Sequence, residues 1–236
     1  MNDQLTSGFL DEVGSETAIK GINRHHGLAE EAYDAIFARL MALRIAPGSR
    51  ITVDNLAREL NVSQTPIREA LGRLEGEGLV IKTHLIGYSA AQQISRRRFD
   101  ELYDLRLLLE PEAAARAGRH MDERKLTELR EVAGVMSRRQ GGDERVRYSA
   151  FARLDAVFHD RILEFAGNDL IRQTLAHQHT HFHIFRLMFH SRVTEEALDE
   201  HEALLAAFAA GDSKAAKRAM REHIERSRDR LLPAFE

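Results

Sequence analysis

The chain has 236 residues, 43% of them hydrophobic and 30% charged, enough for one sizeable core or two modest ones. Lys+Arg number 34 against 37 Asp+Glu, a net charge of −3, which excludes a whole-molecule basic field; nucleic-acid binding would need a local basic surface. Cysteine is absent, so disulfides and thiolate metal sites are excluded. With no apolar run of membrane-spanning length and no charged-then-apolar leader, the expectation is a cytoplasmic protein without a membrane partner.

In chain order, residues 1–27 show no sustained periodicity and read as a flexible tail. From Leu28 the residues Ala29, Ala32, Tyr33, Ile36, Phe37, Leu40 and Leu43 recur at helical spacing until Pro47-Gly48 stops them. A short apolar step at Ile51 to Val53 precedes a second helix with Leu56, Ala57 and Leu60, capped by Thr52 or Asp54. Asn61-Val62-Ser63 leads into a third helix with Pro66 in its first turn, where a missing N–H costs nothing. Ile67, Ala70, Leu71 and Leu74 form its buried face, and Gly76 and Gly78 end it. Leu79 to Ile81 and Tyr88 to Ala90 read as two strands around a turn with Gly87. Three helices and a hairpin wing in this order make a winged helix-turn-helix over residues 28–94.

Beyond Ser95 every strong signal is helical, with candidate helices at about 96–118, 122–139, 145–166, 169–190, 194–210 and 213–232. Gly141-Gly142, Gly167-Asn168 and Gly211-Asp212 are the breaks. The fold class is therefore mainly α: the winged domain, then an all-α bundle of about six helices over residues 95–236.

The third helix places polar residues where a DNA-reading helix needs them. Ser63, Gln64 and Thr65 stand at its start and Arg68 one turn on, opposite the apolar face. A Gln amide suits an adenine edge, and an Arg suits guanine or phosphate. Lys82, Thr83, His84 and Gly87 form the wing, positioned for backbone or minor-groove contact. By spacing alone, these could equally be solvated residues of a small helical domain.

The segment PGSRITVDNLARELNVSQTPIREALGRLEGEGLV, Pro47 to Val80, resembles the GntR family of bacterial regulators. Pro47-Gly48, Leu56-Ala57, the run Val62-Ser63-x-Thr65-Pro66-x-Arg68-Glu69-Ala70-Leu71, Leu74-Glu75 and Gly78-Leu79 lie in the family's register. The resemblance implies operator binding by the third helix and the wing. Gln64 departs from the arginine often found at its position, and Asp54 stands where some members carry a basic phosphate contact.

In the bundle, Arg106 lies within an inward stripe of Phe99, Leu102, Tyr103, Leu109 and Ala113. A buried guanidinium needs a protein carboxylate or an anionic ligand. Asp155 and His159 are one turn apart on a face continued by Ile162 and Ala166. His201 sits among Leu198, Leu204, Leu205 and Phe208; His223 shares a stripe with Ala216, Ala219, Met220 and Leu231. One inward histidine is usually a satisfied core residue, but three with an aspartate point to a shared partner. Imidazole and carboxylate donors suit a divalent transition metal: zinc foremost, with nickel, manganese or iron as alternatives.

Residues from about Arg96 to Arg230 resemble the FCD effector domain of FadR-like GntR regulators. That resemblance implies Asp155, His159, His201 and His223 as metal ligands and a small organic acid as effector, with Arg106 helping to hold it. It also implies a homodimer on a two-fold related double-stranded operator. In the run His177, His179, His181, His183 and His190, only His177 and His181 border the apolar face of their helix; the run reads as solvent-facing or cavity-wall residues rather than metal ligands, with one or two open to effector contact. Two rivals remain at this stage: a metal-dependent hydrolase built on the same four residues, and a purely structural metal. The first lacks an identifiable acid or base and any His-Glu-x-x-His run.

Overall fold

A computed structural model describes residues 23–137, 144–187 and 191–236. Helix α1 (Asn23–Met41) starts within the segment read as tail; the rest of that segment, residues 1–22, lies outside the described residues. Its buried face (Ala32, Tyr33, Ile36, Phe37, Leu40) packs on helix α3 (Gln64–Gly76), which turns Ile67, Ala70, Leu71 and Leu74 inward. Strand β1 (Arg50–Ile51) and helix α2 (Val53–Glu59) lie between them, with Thr52 at the start of α2. Strands β2 (Val80–Thr83) and β3 (Gly87–Ala90) form the hairpin. β1 adds to β3, giving an antiparallel sheet in the order β1-β3-β2 with Ile51 opposite Tyr88 and Val80 opposite Ala90.

The bundle follows as α4 (Arg96–Arg119), α5 (Glu123–Ser137), α6 (Glu144–Phe165), α7 (Asp169–Ala176), α8 (Thr180–Phe185), α9 (Ser191–Ala209) and α10 (Ser213–Leu231), closed by a 3-10 turn at Leu232–Phe235. Two breaks share one device. Gly167 and Gly211 take left-handed φ values of 67° and 64°, which end α6 and α9 at no steric cost. The next residues, Asn168 and Asp212, then cap α7 and α10, accepting from the N–H of Ile171 and from those of Lys214 and Ala215. α10 lies along α4 and α9, and α6 packs against α4, α5 and α8.

One helical expectation fails. The segment 169–190 is not a single helix: it breaks between α7 and α8, where His179 adopts φ 45°. A left-handed non-glycine residue costs about 1–2 kcal/mol, and no glycine or proline marks the site. Tertiary contact offsets that cost. The turn lets α8 bury Thr180, Ile184 and Phe185, stack Phe182 edge-on against Phe37 of α1 at 5.2 Å, and offer the Phe185 carbonyl to the Tyr148 hydroxyl at 2.9 Å.

α8 and α6 make the seam between the two domains. On α6, Arg153 pairs with Asp34 at 2.7 Å and covers the rings of Tyr33 and Phe37. Beyond α8, Arg186 donates to the Ala91 carbonyl at 2.8 Å, and Gln93 donates to the Arg186 carbonyl at 2.5 Å.

Candidate functional site

α6, α9 and α10 bring Asp155, His159, His201 and His223 together in the bundle interior, all buried. Donor atoms of the three histidines lie within 4.8 Å of one another, and the Asp155 Oδ1 is 3.3 Å from the His201 Nε2. Two carboxylates behind the ring set the tautomers. The His159 Nδ1 donates to Glu110 at 2.7 Å, and the His223 Nδ1 donates to Glu200 at 2.8 Å. Each carboxylate is in turn held by an arginine: Arg106 Nε to Glu110 at 2.6 Å, and Arg230 to both oxygens of Glu200 at 2.5 and 2.9 Å. Two Arg–Glu–His chains thus reach the cluster, Arg106–Glu110–His159 from α4 and Arg230–Glu200–His223 from α9 and α10.

With both protons fixed on Nδ1, the Nε2 lone pairs of His159 and His223 face each other across 3.1 Å. That contact is repulsive unless a cation lies between them. Asp155 Oδ1 and both nitrogens of His201 are buried without a hydrogen-bond partner, an expensive state that coordination would relieve at Oδ1 and at one of the two nitrogens. Two of the donor separations, 3.1 Å between the Nε2 atoms of His159 and His223 and 3.3 Å between Asp155 Oδ1 and His201 Nε2, lie close to the roughly 3.4 Å edge of a tetrahedron with bonds of about 2.1 Å. The residues fit a divalent metal. Electrostatics agree: burial pulls His159 down to about 3 and His223 down to about 4, keeping both neutral and able to ligate. Burial would raise Asp155, but hydrogen bonding from His181 and the His201 imidazole beside it hold it well below its ordinary value.

Arg106, expected to hold an effector, is 1% exposed and already paired with Glu110, itself 3% exposed. Its pairing is the protein-carboxylate alternative that a buried arginine admits. Among the clustered histidines, His181 donates through Nδ1 to Asp155 Oδ2 at 2.7 Å and orients the other oxygen toward His201. His177 is exposed and bonds the Gln173 carbonyl; His179 and His183 lie at the seam, facing the backbone of Gly76 and Gly78; His190 lies outside the described residues.

At the far end, Ser63, Gln64, Thr65 and Arg68 are all exposed on the first turns of α3, and Lys82, Thr83, His84 and Gly87 are exposed on the wing. Gln64 donates to Asp54 at 2.5 Å and accepts from Arg68 at 3.1 Å. Gln64 and Arg68, the side chains expected to read bases, therefore engage each other and Asp54 in the free protein. The wing tip adds an apolar pair, Leu85 at 93% and Ile86 at 65% exposure.

The model of the gntR family of bacterial regulatory proteins matches residues 28–87, and that of the FCD domain matches residues 101–226. The chain is a GntR-family transcription regulator with an FCD domain. The HTH-type regulator YdhC of Bacillus subtilis is 28% identical to it, over 80% of this chain and 84% of that one. The HTH-type regulator McbR of Escherichia coli is 25% identical over 88% and 94%. In three dimensions the solved E. coli McbR/YncC aligns with a TM-score of 0.63 at 22% identity, covering 89% of this chain and 99% of its own. The family and these relatives are transcription regulators, so the hydrolase alternative falls and the regulator is not an enzyme. No helix among the described residues is long and apolar enough to cross a membrane.

The sequence reading missed Glu110, Glu200 and His181. Glu110 was available as the i+4 partner of Arg106, and Glu200 as the neighbour of His201. The spacing set His181 at the border of an apolar helix face, but its bond to Asp155 depends on the break before α8.

Proposed function

We propose that this regulator is a homodimeric repressor whose operator affinity is set by a small carboxylic acid at a metal centre formed by Asp155, His159, His201 and His223. The observation that carries the reading is the unpartnered Asp155 Oδ1 and His201 imidazole beside two Nε2 lone pairs aimed at each other. A nitrogen-rich donor set with one carboxylate favours zinc over manganese. A metal bound there would supply Lewis acidity toward a carboxylate oxygen of the effector. Arg106 engages Glu110 chiefly through Nε and has further N–H groups with which to receive the same acid.

On DNA, the amide of Gln64 and the guanidinium of Arg68 exchange their mutual contacts for base edges, while Ser63 and Thr65 meet the backbone. Lys82, Thr83, His84 and Gly87 follow the adjacent groove or its phosphates. One copy per half-site on a two-fold operator is the arrangement a closed dimer supports.

Two elements link the centre to that face. α6 carries Asp155 and His159 at the centre and Arg153 at the seam. α8 carries His181, which holds Asp155, next to Phe182, which packs on α1. An acid that shifts Asp155 or His181 changes the seam, and operator affinity follows if the two states bind the acid differently.

The test is thermal unfolding of metal-loaded protein against a panel of small carboxylic acids, before and after chelation. A rise for one or two acids that chelation abolishes supports the reading. No rise for any acid with metal still bound contradicts it.

A further inference from the structure

The seam holds a buried cation without an anion. Arg186 is 1% exposed; its Nη2 reaches the Ala91 carbonyl, but its Nε and Nη1 have no partner. The other two guanidinium groups in the bundle interior, Arg106 and Arg230, each sit on a glutamate. Arg186 has no such carboxylate among the described residues, and burial weakens its hold on the proton. An arginine does not escape by losing its proton. His183, near the charges of Arg186 and Arg98, is held neutral down to about 4, by burial first and by those charges second, while Arg98 pairs with Glu101 at 3.7 Å and donates to Gln178. On the winged-domain side Arg186 meets the Ala91 carbonyl, His183 lies against Gly78 and His179 bonds the backbone of Gly76.

We propose that this seam is a binding site for a small oxyanion, of carboxylate or phosphate type, received by the free N–H groups of Arg186 with His183 and Arg98 at its edge. An anion there supplies the counter-charge that the fold gives its other buried arginines. It also ties α8 to the strand end at Ala91, so its occupancy stiffens the attachment of the winged domain. The binding claim is independent of the metal-centre reading. Only the consequence for operator affinity rests on it.

The experiment uses the full chain. Thermal midpoints are measured with inorganic phosphate and, separately, acetate, each replacing chloride at constant ionic strength. Wild type, Arg186→Lys, Arg186→Met and His201→Ala are compared, with and without chelator, and circular dichroism checks each fold. The expected result is a saturable rise in wild type for one of the two anions, retained in His201→Ala and after chelation. Arg186→Met should be folded, at least as stable as anion-free wild type and unresponsive, and Arg186→Lys should bind at least tenfold more weakly. A phosphate response without an acetate response identifies the phosphate type, and the reverse identifies the carboxylate type. No response in wild type to either anion overturns the proposal. So does a response that both Arg186 variants keep. A response lost on chelation also overturns it, moving the anion to the metal centre and leaving the earlier reading intact. If Arg186→Met does not fold, the wild-type titration and Arg186→Lys decide the matter alone.

Discussion

Replacing Glu110 by glutamine keeps the side-chain volume and removes one charge from the middle of an Arg–Glu–His chain. Glu110 has two buried partners, the Arg106 Nε at 2.6 Å and the His159 Nδ1 at 2.7 Å. Arg106 would keep its charge and lose its counter-charge, which in a buried pair costs about 3–5 kcal/mol. His159 would lose the carboxylate that pins its proton on Nδ1, and losing such a partner weakens metal binding roughly 10–100-fold. Denaturant unfolding of the chelated protein reads the first effect, and zinc competition against a chromophoric chelator reads the second. Adding Arg106→Met to Glu110→Gln removes the stranded cation and should recover about 2 kcal/mol or more of stability, while zinc affinity stays low. Unchanged stability and zinc affinity in Glu110→Gln would refute the reasoning. A stability loss that Arg106→Met does not relieve would mean that Glu110 acts through packing and not through charge.

Asp54→Asn removes a negative charge beside the groove-facing side chain of Gln64; it should tighten DNA binding roughly threefold at moderate salt, and equal affinity by fluorescence anisotropy would contradict this. Acid should destabilise the chelated protein. Unfolded histidines take up protons below about 6.5, whereas His223 and His183 hold off to about 4 and His159 to about 3, so the unfolded state binds more protons across this window. A drop from 6.5 to 4 is worth about 3 kcal/mol for one histidine, so unfolding free energy should fall steadily from pH 6.5 to 4. His183→Gln should flatten that slope, and a stability that does not change between pH 6.5 and 4 would contradict the assignment. Phe182→Ala removes the ring that packs on Phe37; it should cost about 2–3 kcal/mol and leave zinc affinity intact while reducing the effect of any acid on DNA binding. An unchanged acid effect would take α8 out of the link.

The winged domain was legible because each of its devices is local. Proline in the first turn of α3, apolar spacing along it and glycines past its end each mark the element from within a few residues. The four inward residues of the candidate metal centre were legible for a similar reason: Asp155 and His159 share a helix face, and His201 and His223 stand on apolar stripes. What surrounds them was not. Glu200 approaches His223 from another helix, and His181 reaches Asp155 only because α8 departs from the line of α7. That departure is a tertiary choice, made by Phe182 and Phe185 finding partners on α1 and α6. A left-handed His179 leaves no trace in residue type. The boundary of α1 escaped for the opposite reason, since its first turn has no apolar periodicity to read.

The most direct test of the account is a DNA-binding titration. A two-fold related sequence selected from random DNA by the full-length protein serves as probe, and affinity is measured at fixed salt for zinc-loaded, chelated and His201→Ala protein, each with and without the acid found by thermal unfolding. The account predicts that the acid changes affinity by at least about tenfold in the zinc-loaded protein, the scale of ordinary allosteric coupling, and not in the other two. The same affinity in all six conditions, with specific binding retained, would contradict control through the Asp155, His159, His201 and His223 centre.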